Sequence, residues 1–290
     1  MRPEQITDQI IQHFIIAGLE EDVREGDHTS LATIPAEKRD IAVLKIKDYG
    51  VLAGVEMAQH ILRYLDPTAT ITLSKKDGDD VLFGDVAFEV EGHTRALLQA
   101  ERLLLNTMQR MSGIATLASR FAFEVADLPV KVLDTRKTTP LIRFLEKWAV
   151  KIGGCENYRW GLYDMMMIKD NHVDAAGGIR AAIERAHQYQ QIKDLDLGIT
   201  VEVRNLVEAE EAVNTGGINR IMFDNFEIAI LREAVALVAG RFETEASGGI
   251  TLYNVRRFAQ TGVDYVSTGA LTHSAQPLDL SLKILSVGRG

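Results

Sequence analysis

The 290-residue sequence predicts an α/β protein in which a β-rich first half is followed by an α/β barrel. Three observations carry this. Residues 39–90 read as short alternating strands with turn punctuation. Six apolar strand-like runs then alternate with helical segments, the pattern of βαβ units. Each of these runs is followed by polar or small residues, and barrel active sites lie at the carboxyl ends of strands.

Taken in order, residues 1–23 have the spacing of an amphipathic helix broken by acids rather than that of a signal peptide. Turns are expected at Tyr49-Gly50, Lys76-Asp77-Gly78-Asp79 and Phe83-Gly84-Asp85. Over 93–111, Leu97, Leu98, Leu103, Leu104, Leu105 and Met108 recur at helical spacing. Ser112-Gly113 is expected to interrupt this helix before a second one to residue 126, and the domain boundary is placed near Ser112. Beyond it the expected strands are 130–133, 165–168, 199–203, 220–223, 242–246 and 263–266. Six parallel strands in one domain favour a barrel, with an open doubly wound sheet as the alternative.

A net charge of −9 argues against a nucleic-acid surface, which needs a basic face. No apolar run approaches the roughly 20 residues of a membrane span. The single cysteine, Cys155, allows no intrachain disulfide and lies in no nucleophile motif, so a reducing, cytoplasmic location is expected.

Against this acidic background, residues 133–173 concentrate Arg136, Lys137, Arg143, Lys147, Lys151, Arg159 and Lys169. Arg143, Lys147 and Lys151 recur at helical spacing and are read as a solvated face. Arg136, Lys137 and Lys169 follow apolar runs, where buried strands end, and so point to an anionic ligand. The polar residues after the six strands are Asp134, Arg136 and Lys137; Lys169 and Asp170; Glu202; Asp224 and Asn225; Ser247, Gly248 and Gly249; Thr268 and Gly269. In a barrel they form one constellation. Glycines in the last two loops let backbone N–H groups approach a phosphate, although they also suit plain tight turns. Glu202 and Asp224 can hold a divalent ion, bind ribose hydroxyls or act as acid and base. Arginine forks suit carboxylates and lysines suit phosphate, so a phosphorylated sugar and a small polyacid are the implied substrates.

The motifs LDTRKTTP, GG-x-x-N-x-R-x-GL-x-D at 153–164, IKDNHV, IMFDN, EASGGI and S-x-GALTHSA occur in one order. With A-E-R-x-x-L-N-x-x-Q-R-x-S-G-I-A-T at 100–116, they resemble the quinolinate phosphoribosyltransferase family over nearly the whole chain. The resemblance implies an amino-terminal α/β sandwich domain at 1–112, joined by the tail 276–290, and an open, TIM-like α/β barrel at 113–275. It implies a homodimer or higher homo-oligomer whose active sites are shared between subunits. The implied reaction joins quinolinate and phosphoribosyl pyrophosphate into nicotinate mononucleotide, pyrophosphate and carbon dioxide, with magnesium and no organic cofactor.

By motif, Arg136 and Arg159, with Arg102 of the partner subunit, resemble the family's quinolinate clamp. Lys137 and Lys169 match lysines near the pyrophosphate and substrate. Glu202 and Asp224 match carboxylates near the ribose and metal, while Ser247, Gly248, Gly249 and Gly269 match the 5′-phosphate loops. The chain departs from the family at Tyr158, where the motif usually has histidine. A histidine there can be cationic beside a dianion, whereas tyrosine donates only a neutral hydrogen bond. A substrate contact and a structural aromatic both stay open for it. Three other readings remain: a Schiff-base lyase on Lys169, a noncatalytic anion binder, and a molybdenum-associated paralogue of the same family.

Overall fold

The computed structural model describes residues 2–285, and the chain divides into two compact units. The first comprises residues 1–119, 139–154 and 275–290, and the second 120–138 and 155–274. This division departs from the expected 1–112 and 113–275 chiefly in giving 139–154 to the first unit. Residues 286–290 of the expected tail lie outside the described residues.

The first unit begins with α1 (Asp8–Asp22), capped by the Thr7 hydroxyl, and α2 (His28–Thr33), capped by Asp27. Strand β1 (Arg39–Ile46) and the short β2 (Gly50–Val51) follow. Next come α3 (Val55–Leu65), β3 (Thr70–Leu73), β4 (Asp80–Val81), β5 (Val86–His93) and α4 (Thr94–Glu124). An antiparallel sheet runs β12-β1-β5-β3, where β12 (Leu280–Leu285) brings the chain's last described strand beside its first. Ala42, Leu44, Ile46, Phe88 and Val90 of the sheet, with Met57, Ala58 and Ile61 of α3, form its core.

Two sequence expectations fail here. Helix α3 interrupts what had been read as a run of strands only, because Val55, Ala58, Ile61, Leu62 and Leu65 already carry a period of 3.6. Helix α4 is continuous through Ser112-Gly113. Ser112 is fully buried, and its hydroxyl bonds both the N–H and the C=O of Ala53. At Gly113 a Cβ would lie 2.0 Å from the Gln276 carbonyl oxygen, so glycine serves close backbone approach instead of a break. Helix α5 (Arg143–Ile152), also in this unit, corrects a third expectation. Lys147 is fully buried, not solvated, because α5 is enclosed over nearly its whole length. Beside it, buried Glu146 accepts from Arg110 at 2.7 and 3.0 Å and from Thr139.

The second unit holds six parallel strands: β6 (Lys131–Leu133), β7 (Met166–Ile168), β8 (Ile199–Val203), β9 (Arg220–Asp224), β10 (Glu243–Ser247) and β11 (Tyr265–Ser267). Each agrees with an expected run to within two residues. Buried on both faces, parallel strands read as continuous apolar runs and so are legible. Between them lie α6 (Asp170–Ala176), α7 (Ile179–Lys193), α8 (Leu206–Thr215), α9 (Ile228–Val238) and α10 (Val255–Ala259), with α11 (Ala270–His273) after β11.

The strand order is β6-β11-β10-β9-β8-β7, so the first strand pairs with the last. That cyclic order belongs to a barrel; a doubly wound sheet leaves first and last strands apart. Glu156 bridges Leu133 on the far side of β6, and among the described residues no ladder joins it to β7. The barrel is therefore open, as the resemblance implied.

Candidate active site

A cavity of about 760 Å³ opens at the carboxyl ends of the barrel strands. It is lined by Arg136, Lys137, Tyr158, Arg159, Lys169, Glu202, Asp224, Ser247, Gly248, Gly249 and Gly269, residues that the sequence had singled out from separate loops. Arg102 belongs instead to α4 of the first unit, where its exposed side chain pairs with Glu101 at 3.3 Å.

The loop after β6 is hung on Asp134, which is fully buried. Its carboxylate accepts from Asn157 Nδ2 at 2.7 Å and from the Tyr158 N–H at 2.9 Å, fixing the segment that presents Tyr158 and Arg159 to the cavity. Asp164 accepts from the N–H groups of Trp160 and Gly161, which closes the following turn. Burial, and then the nearby Arg136, pull the Arg159 guanidinium below its ordinary value. Two arginines close enough to disfavour each other's charge suit an anion held between them.

Lys169 stands at the N-cap position of α6, and its side chain donates to Glu202 near the end of β8. Asp224 accepts from Asn225, whose left-handed backbone (φ 56°) carries the loop away from β9. Gly248 is required here, since a Cβ would meet Asn225 Oδ1 at 2.3 Å. The Lys137 carbonyl accepts from the Thr272 hydroxyl, so the loops after β6 and β11 are tied together.

Four cations face two carboxylates in this cavity, an excess suited to anions. A second open hollow, about 870 Å³ and lined by α1, α3 and α4 of the first unit, offers Glu20, Glu21 and Glu25 against Arg24 and would repel them. Lys169 is bonded to a carboxylate among polar loops, whereas a Schiff-base lysine needs an apolar, desolvated pocket.

Comparison with known proteins decides the family. The model of the quinolinate phosphoribosyl transferase N-terminal domain matches residues 27–112, and that of the C-terminal domain matches 114–283. The chain belongs to the quinolinate phosphoribosyltransferase family. It is 45% identical over 283 residues to quinolinate phosphoribosyltransferase (decarboxylating) 1b of Nicotiana tabacum, covering 91% of this chain and 80% of that one. It is 44% identical to the chloroplastic nicotinate-nucleotide pyrophosphorylase (carboxylating) of Arabidopsis thaliana, covering 91% and 81%. Among solved structures, NadC from Streptococcus pyogenes superposes with a TM-score of 0.90 at 38% identity, covering 97% of this chain and 99% of that one.

Within this quinolinate phosphoribosyltransferase barrel the structure adds lining residues that sequence reasoning passed over. His273 sits inside the quoted motif S-x-GALTHSA, yet drew no role. Its Nδ1 is 2.8 Å from the Ser274 hydroxyl, and its ring would touch a Cβ at Gly269 at 2.9 Å. Met167 and Met222 supply apolar surface beside Tyr158.

Below the lining lies a charged layer. Alternation along a strand sends Arg220, Met222 and Asp224 of β9 inward, and likewise Glu243, Glu245 and Ser247 of β10. Arg220 bonds Glu245 at 3.0 Å and Glu243 at 2.9 Å. Burial opposes its charge, but Glu245, Tyr158 and Glu243 together outweigh that, so its guanidinium is held above its usual value. Tyr158 is buried, and its hydroxyl donates to Thr200 at 3.1 Å. Burial and then Glu245 push that hydroxyl well above the usual tyrosine range, so it stays neutral. Cys155 is buried, with its thiol pushed up to about 12. It is unreactive at neutral pH.

Proposed function

We infer that this chain transfers the phosphoribosyl group of phosphoribosyl pyrophosphate to quinolinate with decarboxylation, giving nicotinate mononucleotide for NAD biosynthesis. The observation that carries it is the convergence of Arg136, Arg159, Lys137 and Lys169 with the glycine loops on one cavity, in a chain of this family.

In this reading Arg136 and Arg159 fork the two acceptor carboxylates, joined by Arg102 from a partner subunit. Lys137 and Lys169 neutralise the pyrophosphate and orient the substrates, while Ser247, Gly248, Gly249 and Gly269 receive the 5′-phosphate. Holding the pyridine nitrogen against the anomeric carbon removes much of the entropic barrier. As the pyrophosphate departs, Glu202 and Asp224 stabilise positive character at that carbon. The ribosylated, positively charged ring nitrogen then stabilises the electron pair left on the adjacent carbon as carbon dioxide departs, and that carbon takes up a proton from water to give the product. No organic cofactor is required.

Magnesium fits the donor set. Among the described residues no group of three or more His, Cys, Asp or Glu forms a cage, but magnesium carried by phosphates needs only one or two carboxylates. Glu202 and Asp224 would hold it, and it would supply charge neutralisation at the leaving group.

A homodimer with shared sites and a cytoplasmic location complete the proposal. The exposed Arg102 supports the first, and the single buried cysteine the second. No helix of the described residues is long and apolar enough to cross a membrane.

Release of pyrophosphate from phosphoribosyl pyrophosphate should require quinolinate and proceed poorly with nicotinate. Leaving one of two converging cations unpaired costs about 2–5 kcal/mol, well over tenfold in rate. Equal turnover of the two acids would refute the reading.

A further inference from the structure

Arg220 does not line the cavity, yet everything around it points there. Its guanidinium carbon lies 3.7 Å from the ring centre of Tyr265 and 5.1 Å from that of Tyr158. Its nitrogens are taken by the fully buried Glu245 and the half-exposed Glu243, and the Tyr265 hydroxyl donates to the same Glu243 at 2.9 Å. Arg220 is thus held at its tip by two carboxylates and on its faces by aromatic rings. Planar stacking and a two-carboxylate grip are tasks for guanidinium that ammonium does poorly.

What this assembly supports is a small apolar cluster, Leu133, Tyr158 and Met222, with Met165, Met167 and Tyr265 packed on it. Tyr158, Met167 and Met222 from that cluster reach the cavity. With Ile250 and Ala270 they make up apolar lining of the cavity, the kind of surface a flat heteroaromatic ring needs. Tyr158 also precedes Arg159 directly, so its placement sets where that guanidinium begins. Asp134 fixes the backbone of the pair, and Thr200 the end of the Tyr158 side chain. The ring itself rests on Arg220.

We propose that Arg220, gripped by Glu245 and Glu243, is a positioning residue for the acceptor half of the site, seating Tyr158 and through it the flat ring of a pyridine dicarboxylate. It acts through Tyr158 and touches no substrate. The proposal rests on the quinolinate reading given above. It separates the two substrates, because the loops after β10 and β11 are tied to each other through Thr268, whose hydroxyl donates to the Ile250 carbonyl and accepts from the Ala270 N–H, and not through Tyr158.

The test compares Arg220→Lys and Arg220→Met with the unaltered protein, measuring KM for quinolinate and for phosphoribosyl pyrophosphate and quinolinate binding by calorimetry. Arg220→Met leaves Glu245 buried without its cation and threatens the fold, so Arg220→Lys, which keeps the charge and loses the stack and fork, carries the test if Met does not fold. The quinolinate KM should rise tenfold or more, with a parallel loss of binding, and the phosphoribosyl pyrophosphate KM should stay within about twofold. Folded variants whose quinolinate KM is unchanged, or in which both KM values rise alike, would overturn the role of Arg220 while leaving the quinolinate reading intact. Failure of the unaltered protein to bind or consume quinolinate would overturn both.

Discussion

Replacing Tyr158 separates its ring from its hydroxyl. The Phe variant keeps the ring over Arg220 and loses the contacts of the hydroxyl, the bond to Thr200 at 3.1 Å and the interaction with buried Glu245. Thr200 is buried, and its remaining contact is the Met165 sulfur at 3.7 Å, a weak acceptor. A net hydrogen bond contributes about 0.5–1.5 kcal/mol, and a partly orphaned buried hydroxyl adds to its loss, so Tyr158→Phe should cost about 1–2 kcal/mol. For a domain of this size that is a fall of about 2–8 °C in Tm. Tyr158→Ala removes the ring as well and opens a cavity, costing about 3–5 kcal/mol. Because the hydroxyl is already neutral at all working pH values, the pH profile of the Phe variant should overlay that of the unaltered protein. Calorimetric melting and steady-state kinetics with quinolinate measure both quantities, and the Phe variant should keep its activity within about threefold. A hundredfold loss of activity in that variant with unchanged melting would refute the reasoning, since the hydroxyl would then act on substrate.

Three further outcomes follow from the same geometry. Arg136→Lys keeps the charge but loses the bidentate fork, so it should weaken quinolinate use far more than phosphoribosyl pyrophosphate binding; titration of both ligands checks this. Coexpressed Arg102→Ala and Arg136→Ala chains should form heterodimers in which one site carries both defects and the other neither, restoring up to about half the activity, which kinetics on purified heterodimers would show. Asp66 is held below the usual carboxylate range: burial opposes this, but bonds from Thr68 and His93 outweigh it. Its contribution to stability is full above the unfolded value of about 3.9 and is lost as pH falls through the folded one, so Asp66→Asn should flatten the acid limb of an unfolding titration below about pH 4.

The barrel was legible because its signals are local. Most strands are short apolar runs, and the polar residues that line the cavity stand at or just beyond their carboxyl ends, as Glu202 does within β8 and Lys169 after Ile168. What escaped was set by tertiary contact. Ser112-Gly113 looks like a helix break until the Gln276 carbonyl is seen against Gly113. Lys147 has the spacing of a solvated face, but α5 is enclosed over nearly its whole length. Arg220, Glu243 and Glu245 are charges inside barrel strands, a visible anomaly, but only the parallel register of β9 and β10 brings them together. For Tyr158 the sequence leaves a ligand contact and a structural aromatic both open, and its spatial neighbours, Thr200 and Arg220, are what give it a seat.

The pairing of β1 with β12 sets a timetable for synthesis. Residue 41 waits for residue 285, so the first sheet lacks one border until the barrel has left the ribosome. At roughly 5–20 residues per second, β1 stands at an open edge for about 10–40 s after β5 has emerged. An unpaired edge of this kind templates aggregation, and Lys45 of β1 and Lys38 just before it are charges of the type that blunt such an edge.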